Sequence, residues 1–241
     1  GAALARHYAA QGAALGLAAR RAAPMQTLAD TLSVPVCVYA LDVTDSAALG
    51  AAAQDFIARH GVPDIVIANA GISAGSRSEL AADIAVLSRI LHTNVVGLAA
   101  TLQPFIAPMR ERGSGALVGI ASVAGFRGLA GAGAYSASKS AAITWLEALR
   151  LELHGSGVGV VTICPGYIAT PLTAVNRHPM PFLLEAPEAA RRIARAIAAK
   201  KRLAIIPWQM RAVFFVLRRM PNWLYDRLFA RAPRKPRDPR A

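Results

Sequence analysis

ALVGIASVAGFRGLAGAGAYSASKSAAITWLEALRLELHGSGVGVVTICPG, residues 116–166, reads as a strand, a helix and a second strand. ALVGIA (116–121) is apolar throughout, the mark of a strand buried on both faces. VGVVTIC (158–164) reads the same way and stops at Pro165-Gly166. Between them, residues 135–153 carry apolar side chains at helical spacing. Two buried strands joined by a helix form a parallel pair with a crossover.

The same alternation extends in both directions. Helices are expected over 4–10, 25–32, 45–59, 80–109 and 188–200, and strands over 14–18, 34–41, 64–68 and 203–206. Asp45 or Ser46 can cap the third helix. Pro104 and Pro108 are expected to mark the end of the long one. The result is an α/β chain with a parallel sheet covered on both faces. Such sheets bind ligands at the carboxyl ends of their strands, here just past Ala18, Leu41, Ala68, Ala121 and Cys164.

The 241 residues are 54% hydrophobic, enough for one well-packed α/β unit. The two cysteines, Cys37 and Cys164, stand in apolar runs and read as buried free thiols, which fits a reducing cytoplasm. No Cys/His metal spacing occurs, and no metal is expected. The opening GAALARHY reads as the first turns of a helix and not as a secretory leader. No window holds the ~18 uninterrupted apolar residues of a spanning helix. The net charge of +13 is uneven. Residues 1–176 carry 11 Lys and Arg against 10 Asp and Glu, whereas 177–241 carry 16 against 4. The basic character belongs to the last quarter, so no nucleic-acid partner is expected.

Tyr135 and Lys139, in YSASK, lie one helical turn apart on a shared face. A nearby ammonium favours the phenolate and brings a tyrosine toward useful acid/base chemistry. The pair alone is weak, since Tyr-x-x-x-Lys is common by chance. Ser122 follows the strand ALVGIA, where a hydroxyl can bond a substrate oxygen or simply cap a turn. Asn94 lies inside the long helix, a poor place for an amide that competes for backbone groups. It either bends the helix, holds a water or is merely tolerated. Asn69-Ala70-Gly71 follows the strand DIVIA, and Gly71 allows a close backbone approach. Asp42 follows the 34–41 strand and serves either an adenine amine or a turn.

Together these residues resemble the short-chain dehydrogenases/reductases. IANAG (67–71), Asn94, Ser122, YSASK (135–139) and Pro165-Gly166 stand in that family's order and rough spacing, with LDV (41–43) and IAT (168–170) fitting as well. The likeness covers 1 to about 207. It implies a doubly wound Rossmann-type parallel sheet and oxidoreductase activity on a carbonyl/alcohol pair. It also implies a tetrad in which Tyr135 is the acid/base, Lys139 lowers its pKa and binds the nicotinamide ribose, Ser122 positions the substrate oxygen and Asn94 holds a water. Asp42, Val43, Asn69, Ala70 and Gly71 would lie along the cofactor, and Pro165, Gly166, Ile168 and Thr170 at its nicotinamide end. Homo-oligomers built on the helices at 80–109 and 135–154 are usual in the family. A lyase or epimerase using the same tyrosine is a further expectation within it.

The 14–18 strand runs into Arg20-Arg21 with no acid nearby. An acid there suits the ribose hydroxyls of NAD(H), whereas arginine suits a 2′-phosphate. NADP(H) is therefore expected, with Arg20 the more direct contact. The family's first strand and most of its glycine-rich turn have no counterpart before Gly1, so a gap in the sheet is expected.

The chain is expected to divide into a Rossmann-type domain (1–207), an amphipathic helical extension (208–231) and a basic disordered tail (232–241). PWQMRAVFFVLRRMPNWLYDRLFAR (207–231) interleaves large apolar side chains with arginine, and Pro221 splits it into two helices. Three readings stand: a helix pair on the core or a neighbouring subunit, an interfacial helix on anionic lipid, or a lid over an apolar substrate. The lipid reading makes a peripheral membrane protein or scaffold the rival to an enzyme. The substrate loop is expected at 171–184.

Overall fold

A computed structural model describes residues 1–174, 179–230 and 237. Its strands are β1 (Leu15–Ala19), β2 (Val36–Ala40), β3 (Ile65–Ala68), β4 (Gly115–Ile120), β5 (Val158–Pro165) and β6 (Leu203–Ile206). The helices are α1 (Ala2–Ala9), α2 (Ala22–Ala29), α3 (Ser46–His60), α4 (Asp83–Leu91), α5 (Gly97–Arg112), α6 (Gly133–Glu152), α7 (Pro171–Ala174), α8 (Ala186–Ala198), α9 (Gln209–Arg219) and α10 (Asn222–Phe229). Every strand ladder is parallel. Asp45 caps α3, its side chain accepting from the Ala48 amide.

Successive residues of β4 and β5 feed opposite layers, as the strand period of two requires. Leu117 and Val160 pack with Leu98, Leu102, Leu146 and Leu149 of α5 and α6. Their neighbours Val118 and Val161 pack with Leu4 of α1 and with Ala190, Ile193 and Ile197 of α8. Helices on both faces of a parallel sheet make the fold doubly wound and Rossmann-like.

The sheet is interrupted where the sequence predicts a gap. β2 and β1 form one two-stranded sheet, β3-β4-β5-β6 a second, and β1 does not pair with β3. Among the described residues, the edge of β1 away from β2 and the edge of β3 away from β4 therefore lack ladder partners, unlike both edges of β4.

Two expectations need correction. Pro104 and Pro108 do not end the long helix: both lie inside α5, which runs to Arg112. Each removes one backbone donor, but burial of Leu98, Leu102 and Met109 against the sheet holds the helix together. Cys37 is half-buried, its thiol 3.4 Å from His60 Nε2, because its side of β2 is only partly covered. Cys164 is fully buried.

The 83–112 rod breaks its α-helical pattern at His92–Val96, a π-helical turn centred on buried Asn94. By length and composition the rod could cross a membrane, yet its inner side forms part of the core. Of the C-terminal tail, residues 231–236 and 238–241 lie outside the described residues. Arg237 is described, its guanidinium forked onto the buried carboxylate of Asp83 at 2.7 and 2.9 Å.

Unpaired edges should exchange readily. Hydrogen–deuterium exchange is expected to show faster exchange at the gap-facing amides of Leu15–Ala19 and Ile65–Ala68 than at those of Gly115–Ile120. Uniform protection across the six strands would contradict the split sheet.

Candidate active site

The predicted residues gather along one edge of the sheet because parallel strands deliver their carboxyl ends to the same side. Arg20 and Arg21 follow β1. Asp42 and Val43 follow β2, and the charge of Arg20 reaches Asp42. Thr44 bonds Asp42 through its amide and hydroxyl at 3.0 and 2.9 Å, and these bonds hold the carboxyl below its usual range. Val43 is buried, so close to Gly97 that a Cβ on the glycine would lie 2.8 Å from a Val43 methyl. Asn69, Ala70 and Gly71 follow β3 and are exposed.

Ser122 comes two residues after β4 and caps a short 3-10 turn, accepting from the Ala124 amide at 3.2 Å. Tyr135 and Lys139 stand in the first turns of α6. The Lys139 ammonium is enclosed, 5.8 Å from the Tyr135 ring centre, and donates to the Ile120 carbonyl at 2.8 Å. Burial pulls Lys139 down to about 8. The Tyr135 hydroxyl is enclosed too, and burial pushes its pKa above the ordinary value. Ser122 works against that rise, and Cys164 adds to it. The Cys164 thiol is itself pushed up to about 12 by burial, against the pull of Ser122 and Lys139.

The sequence suggests that Lys139 lowers the tyrosine. In this arrangement desolvation dominates, and the ammonium places its bond on Ile120 instead. A phenol so held keeps its proton at neutral pH, making it a donor first and an acceptor at alkaline pH.

Asn94 sits behind this pair. Its Oδ1 accepts from the Ile72 amide at 2.8 Å, and its Nδ2 donates to the Ile72 carbonyl at 2.9 Å and to Ser138 Oγ at 3.0 Å. Ser138 in turn donates to the Tyr135 carbonyl at 2.8 Å. The side-chain amide thus fastens the chain after β3 to the start of α6. A Cβ at Gly71 would come within 3.2 Å of Asn94 Oδ1 and 3.5 Å of Lys139 Nζ, so a side chain there would press on the Asn94 amide.

This edge carries groups suited to a nicotinamide dinucleotide: exposed Arg20 after β1 and the enclosed Lys139 ammonium in α6. The start of α1 meets the residue after β3, the Gly1 nitrogen 3.5 Å from Asn69 Oδ1. A helix N-terminus offers backbone donors to phosphate.

Residues 1–180 match the family described as short chain dehydrogenase. An uncharacterized oxidoreductase of Myxococcus xanthus is 39% identical over 226 residues, 92% of this chain and 89% of that protein. The chain belongs to the short-chain dehydrogenase/reductase family. As a member it is an oxidoreductase of a family that binds nicotinamide cofactors. A short-chain dehydrogenase from Streptomyces avermitilis superposes with a TM-score of 0.79 at 25% identity, covering 95% of this chain and 89% of that one. An alcohol dehydrogenase from Thermococcus sibiricus, solved with 5-hydroxy-NADP, superposes with a TM-score of 0.73 at 25% identity, covering 85% and 88%.

The remaining short-chain dehydrogenase positions lie past β5. Pro165 is its last residue, and the Gly166 amide donates to the Ile206 carbonyl at 2.7 Å. Ile168 bridges Leu184, and the Thr170 amide donates to Thr173 Oγ1 at 3.1 Å. Of the expected substrate loop, 175–178 lie outside the described residues.

Ser138, Ile72 and Gly125 escape the sequence reading. Ser138 looks like one more small residue of YSASK, and Ile72 acts only through its backbone. Gly125 had a legible signal, a glycine in the turn after Ser122. A Cβ there would lie 2.7 Å from the Lys139 carbonyl carbon and 2.8 Å from the Ser140 nitrogen. Gly125→Ala is therefore expected to push the Ser122 turn off α6 and lower kcat by about tenfold or more. Steady-state kinetics beside circular dichroism checks this; unchanged kcat in the folded variant would contradict the contact.

Proposed function

We propose that this protein is an NADP(H)-dependent reductase or dehydrogenase that interconverts a small-molecule carbonyl and its alcohol, with Tyr135 as acid/base. The buried Lys139 ammonium, 5.8 Å from the Tyr135 ring centre and bonded to the Ile120 carbonyl at the strand end that precedes Ser122, carries this reading. When bound, a nicotinamide would supply or accept the hydride. The protein's own side chains handle the oxygen. Ser122 bonds the substrate oxygen and orients it toward Tyr135. Tyr135, protonated at neutral pH, gives its proton to that oxygen during reduction and takes it back during oxidation. Lys139 keeps a positive charge beside the developing oxyanion. Asn94 and Ser138 fix the backbone of Tyr135 and of the Ile72 segment, holding the site's geometry.

The preference for NADP(H) rests on Arg20. It follows β1 where an acid would suit NAD(H), and it is exposed. Charge-assisted bonds to phosphate are each worth about 1.5–3 kcal/mol. Arg20→Ala is expected to raise KM for NADPH about tenfold or more and to leave KM for NADH nearly unchanged. Equal effects on both cofactors would overturn the preference.

The two free thiols favour a reducing compartment, and the cytoplasm is proposed. A homo-oligomer is proposed through the outer faces of α4–α5 and α6, where Ile84, Val96 and Leu151 are exposed.

The decisive assay follows NADPH absorbance with a panel of ketones, aldehydes and quinones, for the protein and for Tyr135→Phe. Turnover is expected in the first and a loss of at least about a hundredfold in the second. Turnover on none of these carbonyls, or equal turnover in both proteins, contradicts the proposal. Substrate conversion without net NADPH change would place the chemistry with lyases or epimerases. For reduction, kcat/KM is expected to be highest at neutral pH and to fall as pH rises through about 8, where Lys139 loses its proton. Oxidation should gain with pH as Tyr135 becomes able to accept.

A further inference from the structure

We propose that the outer face of α9 and α10 docks on an anionic lipid surface. The inner face of the pair is fully engaged. Phe214 packs on Phe126 with ring centres 4.0 Å apart, and Met210 is buried. The Arg127 guanidinium lies 4.1 Å from the centre of the Tyr225 ring. It donates to the carbonyls of Leu217 and Met220 at 3.3 Å each and to Asn222 Oδ1 at 3.2 Å. Tyr225 donates to the Gly128 carbonyl at 2.7 Å. These contacts seat both helices on the turn that follows Ser122.

The outer face has no such partner among the described residues. Trp208 is 70% exposed, Trp223 69%, Val216 59% and Phe215 56%. Residues 208, 212, 215 and 219 follow helical spacing, so Trp208, Phe215 and Arg219 share one side. The Arg219 guanidinium lies 3.6 Å from the Phe215 ring centre. Arg211, Arg218 and Arg227 are exposed as well, and no acid occurs between Glu188 and Asp226.

Charge decides the occupant. Two copies joined through this face would bring eight arginines together with only two aspartates, a repulsive arrangement once water is excluded. Anionic headgroups instead neutralise the arginines while the indoles and Phe215 enter the acyl boundary. Indole and guanidinium groups both pair an apolar body with a polar tip, which suits them to that boundary. The inference is independent of the catalytic reading, since vesicle binding needs no turnover.

The test is co-sedimentation of the full chain with phosphatidylcholine vesicles and with mixed phosphatidylcholine–phosphatidylglycerol vesicles. Binding to the mixed vesicles is expected, about tenfold or more weaker binding to phosphatidylcholine alone, and release by high salt. The triple variant Trp208→Ser, Phe215→Ser, Trp223→Ser changes only outward side chains. It should lose binding about tenfold while keeping its unfolding midpoint and NADPH turnover. Absence of binding to mixed vesicles overturns the proposal, as does undiminished binding by the triple variant. A dimer that the triple variant abolishes, with no vesicle binding, would assign the face to a second copy instead.

Discussion

The bond from the Lys139 ammonium to the Ile120 carbonyl joins α6 to the end of β4, and the rest of the site is arranged around it. It fixes a buried cation close to Tyr135 and Cys164. It also fixes Tyr135, one turn earlier on α6, relative to the end of β4 from which Ser122 follows. The close passage of Gly125 over the Lys139 backbone and of Gly71 near its ammonium follows from the same constraint. A Cβ at Gly125 would collide with the Lys139 and Ser140 backbone, and one at Gly71 would press on Asn94.

The sheet makes this arrangement affordable. Burial of β4 and β5 on both faces, Leu117 and Val160 to one side and Val118 and Val161 to the other, leaves these strands little freedom to shift. Their carboxyl ends are therefore rigid platforms for Ser122 and for Pro165-Gly166. The π turn at Asn94 adds a lateral tie from the long helix rod to Ile72 and Ser138. Burying an amide in that rod would be costly unless its donors and acceptor were matched, and here they are. Ser122, Tyr135 and Lys139 are carried by β4 and α6, on the continuous four-stranded part of the sheet, away from the β1–β2 pair.

Much of this was legible in the sequence. Apolar strands alternating with amphipathic helices gave the parallel order, and DIVIA, ALVGIA and VGVVTIC ended within a residue or two of the observed strands. The candidate catalytic side chains stood at strand ends or on one helical face, where local pattern carries information. Two things were not legible. Prolines 104 and 108 look like helix stops, because the packing that overrides them comes from residues distant in sequence. The balance of effects on Tyr135 also escaped, since spacing shows that Lys139 is near but not that burial outweighs it. Ser138 and Ile72 act through contacts that cross from α6 to the chain after β3, and no local pattern announces such a pair. The seating of α9 and α10 by Arg127 likewise depends on a contact between residues far apart in the chain.

The central claim is that burial keeps Tyr135 protonated at neutral pH beside the Ser122 hydroxyl, ready to donate. Titration of the Tyr135 ring carbon by nuclear magnetic resonance tests it most directly, with ring-labelled tyrosine and the Tyr135→Phe spectrum to identify the signal. The account predicts a midpoint above the ordinary tyrosine value of about 10 in the cofactor-free protein. A midpoint near or below neutrality would contradict it, and would mean that the Lys139 charge, not desolvation, governs the phenol.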